Sequence, residues 1–327
     1  MTRPLDRADI AALSTRMETI ADPDDPATHL RLLRLLYEVG RRDLPLGRLF
    51  EGHVDALQIV SRYGSEAQRQ QAGAVVRGGG ALGVWNADQP GNPTVLSDAR
   101  LTGGKAFASG AGILSHALIS IDAGGARQLL LLDLAEVAPR IDRSWWRTTG
   151  MQRSETHVVQ WHDQPCPPDA LIGQPGDYVR EPWFSGGAIR FAAVQAGGIA
   201  AVVDHARDHL VASRRQDDPH QRVRLAELYR AAQAAADAVA RAGRHWSAAD
   251  ADATVVHVAA ARAAVYAAGE AVLGQAAAAV GVQAMFADHP IAAALRDLDV
   301  YLRQPAPDAQ RDRVGAAVAA GLLRPAL

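Results

Sequence analysis

The chain has 327 residues, and 34 Lys and Arg against 36 Asp and Glu leave a formal net charge of −2. That balance excludes a charge-driven nucleic-acid binder or a polybasic membrane anchor, while 48% hydrophobic and 21% charged residues describe a globular chain able to bury a sizeable core. A single cysteine, Cys166, excludes an intrachain disulfide and any multi-cysteine metal site.

Residues 1–79 read as helices. The first residues hold no apolar signal core, so the expected location is the cytoplasm. Asp25-Pro26 suits a helix cap and first turn, and Leu32, Leu35, Leu36 and Val39 follow at helical spacing. A second helix is expected over 46–63. A third follows Gly64-Ser65-Glu66, with Ser65 as its cap.

Over 80–175 the pattern changes to short β-forming runs at 81–85, 115–121, 128–134 and 156–161. Clusters such as Gln89-Pro90-Gly91-Asn92-Pro93 separate them, which predicts a small antiparallel barrel or sandwich. Trp85, Trp145, Trp146 and Trp161 fall here and are expected to help fill its core. Cys166 is read as a structural residue of a proline-rich turn.

Residues 176–327 are helical again and rich in Ala, with breaks near 217–219, 243–247, 281–290 and 304–307. Short loops between long helices predict an antiparallel four-helix bundle. The stretch 271–287 is uncharged but too weakly apolar for a membrane span. His205 and His209 share a helix face, but without a His-Glu-x-x-His pattern or a third ligand no metal site is expected. The fold class is therefore α+β: helices, a β region, and a helical bundle.

Several segments, taken in order, resemble the acyl-CoA dehydrogenase superfamily of flavoproteins. Gly64-Ser65-Glu66-Ala67-Gln68-Arg69 is similar to its Gly-Ser-x-x-Gln-Lys segment. Leu101-Thr102-Gly103-Gly104-Lys105-Ala106-Phe107-Ala108-Ser109-Gly110 resembles its Leu-x-Gly-x-Lys-x-Phe-x-Ser/Thr-x segment. Gly150-Met151-Gln152-Arg153 resembles Gly-Met-Arg, Pro168 to Gly173 the Val-Pro-x-x-x-Leu-Gly exit, and Arg296-Asp297 the late Arg-Asp pair. Arg190 and Gly197-Gly198 fit the first bundle helix.

The resemblance implies FAD or FMN as cofactor, with Phe107 packed on the flavin ring and Ser109 near its reactive nitrogen. It implies that Trp85, Asn86 and Ala87 meet the pyrimidine edge, and that Arg214 and Gln221 are candidates for the dinucleotide. It also implies a homo-oligomer, a dimer or tetramer, with flavin at a subunit interface, and a small-molecule or acyl-CoA substrate. Dehydrogenation of a thioester needs a carboxylate base. The two positions where the family carries it hold Pro305 and Ile189 here.

A second branch, of dibenzothiophene monooxygenase type, is similar in Leu46-Gly47-Arg48-Leu49-Phe50-Glu51-Gly52-His53 and in Trp85-Asn86-Ala87. It implies His53 and Asn86 as catalytic donors around a flavin, although its late His has no counterpart at Tyr301 or Leu302. Three readings follow: a flavin-dependent oxidoreductase, a reduced-flavin monooxygenase, and a non-catalytic flavin- or partner-binding member.

Overall fold

The computed structural model describes residues 3–19, 21–23, 25–303 and 306–325. Capping chemistry sets the first helices. After a short α1 (Arg7–Ser14), α2 (Pro26–Arg42) begins on Asp25, whose carboxylate accepts from Ala27 N at 2.8 Å and Thr28 N at 2.9 Å. Pro26 fits the first position because its missing N–H would have no helical partner. α3 (Leu44–Tyr63) starts two residues before the expected 46, because Asp43 caps it. α4 (Glu66–Arg77) opens with a capping box between Ser65 and Gln68.

The four expected β runs are β1 (Leu82–Trp85), β4 (His116–Ala123), β5 (Ala126–Asp133) and β7 (His157–Pro165), in an order completed by β2 (Val95–Ser97), β3 (Arg100–Ala108), β6 (Arg140–Asp142) and β8 (Leu171–Ile172). They form two four-stranded sheets, ordered β1-β4-β5-β8 and β2-β3-β7-β6. Among the described residues there is no closed barrel, and the pattern is not wholly antiparallel. β1 runs parallel to β4, with Leu82 opposite His116, because the chain leaves for the second sheet and returns between them.

Alternation along β4 and β5 explains why both faces of the first sheet are buried. Ala117, Ile119, Ile121, Leu130 and Leu132 join Leu101, Val159 and Trp161 of the second sheet in one core. Leu118, Leu129 and Leu131 turn the other way, onto Leu57 and Val60 of α3 and Ala72 of α4.

The rest of the chain forms α5 (Trp183–Ala212), α6 (Pro219–Arg244), α7 (Ala251–Val280), α8 (Pro290–Leu302) and α9 (Pro307–Ala319). α5, α6 and α7 pack on one another, α8 lies on α5 and α7, and α9 on α7. This layer is not built by the last third alone: α2 packs against α5 and α6. The α2–α5 crossing is tight because it is made by glycines. A Cβ on Gly40 would stand 2.2 Å from the Val194 carbonyl oxygen, and one on Gly197 2.1 Å from that of Tyr37.

α5 and α7 are long and apolar enough to cross a membrane, yet 72% of the apolar window of α5 is buried among its neighbours, against 39% for α7. Cys166 is buried and free, and burial pushes its thiol up.

Candidate functional site

Phe107 is turned outward by its own strand. The β3–β7 register shifts between Lys105 and Ala108, and Phe107 stands there at φ +55°. Such a bulge re-aims a side chain that regular alternation would place differently. The ring is 46% exposed and meets Trp145, itself 38% exposed, edge to face at 4.9 Å. Trp146 stacks on Trp145 at 6.0 Å and donates Nε1–H to the Met151 carbonyl at 3.1 Å. Of the four tryptophans expected to help fill the core, Trp85 and Trp161 are buried in it and the half-buried Trp146 packs against it, whereas Trp145 is exposed. Phe107 and Trp145 form an open aromatic ledge, backed by the half-buried Trp146.

The ledge is anchored to α8. A Cβ on Gly150 would lie 2.1 Å from the Arg296 carbonyl oxygen, and Met151 N donates to Asp297 Oδ1 at 2.5 Å. The Arg-Asp pair thus holds the β6–β7 loop, whereas Asp299 pairs with Arg303. Beside the ledge, Ser109 Oγ accepts from Thr156 Oγ1 at 2.9 Å, and Thr156 meets Ser154 Oγ at 2.8 Å. These hydroxyls face Arg48 and Tyr301 across a gap of about 10 Å³.

Beyond Arg48 the space widens to a cavity of about 310 Å³ between α3, the end of β1, the start of α5, α7 and α9. α3 presents Arg48, Glu51, Asp55, Ile59 and Arg62 to it. Steps of three and four residues place them on one helix face. The same helix buries Leu49, Phe50, Val54, Leu57 and Val60 elsewhere, so the charged stripe is enclosed rather than solvated.

Arg48 Nη1 donates to Glu51 Oε1 at 2.5 Å, and the Tyr301 hydroxyl donates to the same oxygen at 3.3 Å. Burial pushes the Glu51 carboxyl up, further than Arg48 beside it pulls it down. The buried Arg190 donates to Gln58 Oε1 and Asp55 Oδ1. Tyr178 lines the cavity, and its hydroxyl has no hydrogen-bond partner among the described residues. Burial pushes that phenol up as well. Arg62 and Arg262 are brought down to about 10 by burial, so both remain cationic near neutral pH.

The residues singled out in the sequence scatter around this arrangement. Asn86 lines the cavity, with its Oδ1 accepting from Arg127 Nη1 at 2.5 Å. The buried Lys105 fixes its backbone, reaching Asp88 Oδ1 at 2.5 Å, Ser120 Oγ at 3.1 Å and the Asn86 carbonyl at 3.4 Å. Ala87 is exposed, and its carbonyl accepts from Ala106 N. The Trp85 indole is in the core, 1% exposed, donating to the Ser109 carbonyl, so it offers no wall to a ligand.

His53 does not reach the cavity. It lies two residues past Glu51, about 200° around the helix. Its Nδ1 accepts from Leu82 N at 3.0 Å and its Nε2 meets Ser14 Oγ at 3.0 Å, tying α3 to β1 and α1. Burial brings its pKa down to about 4.

Arg214 and Gln221 sit in and just after the α5–α6 turn. The 30 residues of α5 place that turn at the opposite end from the cavity, roughly 45 Å away along the helix. Arg214 is exposed. The Gln221 amide is buried, its oxygen accepting from Arg215 at 2.5 Å and Arg224 at 3.0 Å. Ile189 is fully buried in α5, and Pro305 lies outside the described residues.

No family model matches the chain, and no curated protein matches it in sequence. Solved structures do resemble it. FMN-bound TdsC from Paenibacillus sp. A11-2, a dibenzothiophene monooxygenase, superposes with a TM-score of 0.78 at 16% identity over 96% of both chains. Butyryl-CoA dehydrogenase from Megasphaera elsdenii gives 0.75 at 17% identity, over 91% of this chain and 83% of that one. KijD3 in complex with FMN and a dTDP-amino-keto sugar gives 0.76 at 21% identity, over 96% and 86%.

Proposed function

We propose that this chain, which has the acyl-CoA dehydrogenase-like fold, is a flavin-dependent oxidoreductase acting on a small carbonyl compound, with acyl thioesters the first class to test. The observation that carries this reading is the open ledge of Phe107 and Trp145, backed by Trp146, beside the Ser109–Thr156 hydroxyl pair. A flat heteroaromatic ring needs an aromatic wall and a few fixed polar groups at its edge. Large aromatic faces left in solvent suit a ligand better than a core.

The donor set fits a flavin. Phe107 and Trp145 would hold the ring, with Ser109 and Thr156 at its polar edge. The gap toward Tyr301 is narrow and is walled by Arg48, whose Nη1 is held by Glu51. When bound, the flavin supplies the electron acceptor. The chain's own part is to keep substrate in the 310 Å³ cavity, orient it against the α3 stripe and limit water there. With the Gln221 amide taken up by two arginines, a mononucleotide suits this chain as well as FAD does.

The same reading makes the protein a cytoplasmic homo-oligomer, with the exposed part of α7 and the ledge as surfaces for a second copy. Its helical layer acts as the bundle of the fold, and residues 1–79, 80–175 and 176–327 as its three regions. A reduced-flavin monooxygenase is the second reading, favoured by the full-length likeness to FMN-bound TdsC.

Anaerobic stopped-flow with acyl-CoAs of different chain length separates the readings. Bleaching of the bound flavin supports the dehydrogenase. Oxygen uptake with reduced flavin and a sulfur or indole substrate, without bleaching, supports the monooxygenase. Neither response from a flavin-loaded protein points to a non-catalytic member.

A further inference from the structure

The positions where the resemblance puts the family's carboxylate hold Pro305 and Ile189, but the cavity has a carboxylate of its own. Glu51 is 5% exposed and lines the cavity from α3. Its Oε1 is held by Arg48 and Tyr301, while its Oε2 has no hydrogen-bond partner among the described residues and is not sealed from open space. Arg48 spends Nη1 on Glu51 and lines both the cavity and the gap beside Ser109. Its remaining N–H groups have no protein acceptor among the described residues. A carboxylate oxygen with one free edge and a guanidinium with one free edge thus stand side by side, between the cavity and the ledge.

We infer that Glu51 and Arg48 form a deprotonation pair for a carbon acid, in which Glu51 takes the proton from the carbon beside a carbonyl and Arg48 holds the oxygen that gains charge. The inference rests on the oxidoreductase reading for its substrate class, an acyl thioester. The C–H bond breaks and its proton forms an O–H bond with Glu51 Oε2. The electron pair moves into the bond between the two carbons, and the carbonyl oxygen becomes an enolate oxygen hydrogen-bonded to Arg48. The step moves one proton and requires no oxidant.

The neighbouring groups make Glu51 the acceptor. Asp55, four residues on, has its Oδ1 taken up by the buried Arg190. The Tyr301 and Tyr178 phenols are both pushed up by burial and stay protonated at neutral pH. Burial of Glu51 also raises the basicity of its ionised form. Tyr301 holds the carboxylate in place, and Arg48 faces it from the same helix.

The test is deuterium exchange. The full chain, with and without FMN, is incubated in D₂O with butyryl-CoA, and deuterium at the carbon beside the thioester is read by mass spectrometry. Exchange above the buffer rate is expected, reduced about 10² to 10⁴-fold in Glu51→Gln and partly restored in Glu51→Asp. Arg48→Lys, which keeps the charge but loses the fork, should exchange at an intermediate rate.

Unfolding of Glu51→Gln is monitored by its melting curve. If it does not fold, the exchange profile of the native chain is compared with the infrared band of its buried carboxylic acid. Coincident titrations support the pair, and a profile that follows another group overturns it. Exchange in folded Glu51→Gln equal to the native rate overturns it, as does no exchange in a chain that binds FMN. Exchange in a chain that takes up no flavin upholds the pair and removes the flavin reading instead.

Discussion

Tyr301 reaches across 250 residues of chain to place its hydroxyl 3.3 Å from Glu51 Oε1. That contact joins α8, which holds the aromatic ledge through Asp297, to α3, which carries the charged stripe of the cavity. One hydroxyl therefore couples the wall of the proposed cofactor site to the proposed base. A donor to a carboxylate favours its ionised form.

Removing that donor in Tyr301→Phe is expected to raise the Glu51 pKa further. The acid limb of any Glu51-dependent rate then moves to higher pH, because the base must be deprotonated to act. Arg48, Asp55, Arg190 and Tyr178 face the same carboxylate and remain in place, so the shift reports Tyr301 alone. A pH–rate profile of proton exchange for both proteins measures it.

Buried histidines are expected to set part of the acid stability. The folded chain brings His53 down to about 4 and His29 to about 3, from an ordinary 6.5. The unfolded chain therefore binds protons that the fold refuses as pH falls from about 6.5, and stability is lost through that window. Each histidine adds a slope of about 1.4 kcal/mol per pH unit. His53→Gln should flatten the limb by that amount in urea titrations between pH 6 and 4.5, conditions bounded by those two values. It should also lower stability at neutral pH by about 1–3 kcal/mol, since Ser14 and Leu82 N lose their partner.

Two glycines should respond oppositely to the same change. Gly40→Ala pushes a methyl against the Val194 backbone and is expected to cost about 3 kcal/mol, because two helices must separate. Gly274→Ala in α7 meets nothing within 4 Å and should gain up to about 1 kcal/mol of helix propensity. Denaturant midpoints at constant slope would check both.

Much of the fold was legible in local chemistry. Asp25-Pro26 and Ser65 mark helix starts because their side chains satisfy early N–H groups, and the structure uses both. β3 was legible only as a resemblance, since Gly103 and Gly104 break its strand pattern. The parallel β1–β4 pairing and the separate sheets are long-range facts that a run of β-forming residues does not carry.

The candidate site was legible in part. Asn86 lines the cavity, Ser109 lines the gap beside it and Phe107 stands on the exposed ledge, whereas His53 and Trp85 are spent in the core. Glu51 stood two residues from His53 in the same segment. Its signal was the spacing of Arg48, Glu51, Asp55 and Arg62, which in a lone helix describes a solvated face. Only packing against β1 and α5 shows that face to be enclosed.

Whether the Phe107 ledge seats a flavin is decided by titration of the purified chain with FMN and with FAD, followed by flavin fluorescence and absorbance. Saturable quenching with one flavin per chain is expected. Phe107→Ala should weaken it by at least about tenfold, as the loss of an aromatic contact of about 1.4 kcal/mol does. The melting temperature of that variant should barely change, because the ring is 46% exposed. A folded native chain that quenches neither flavin at millimolar concentration, or a Phe107→Ala variant that binds as well as the native chain, would mean that the ledge seats no flavin.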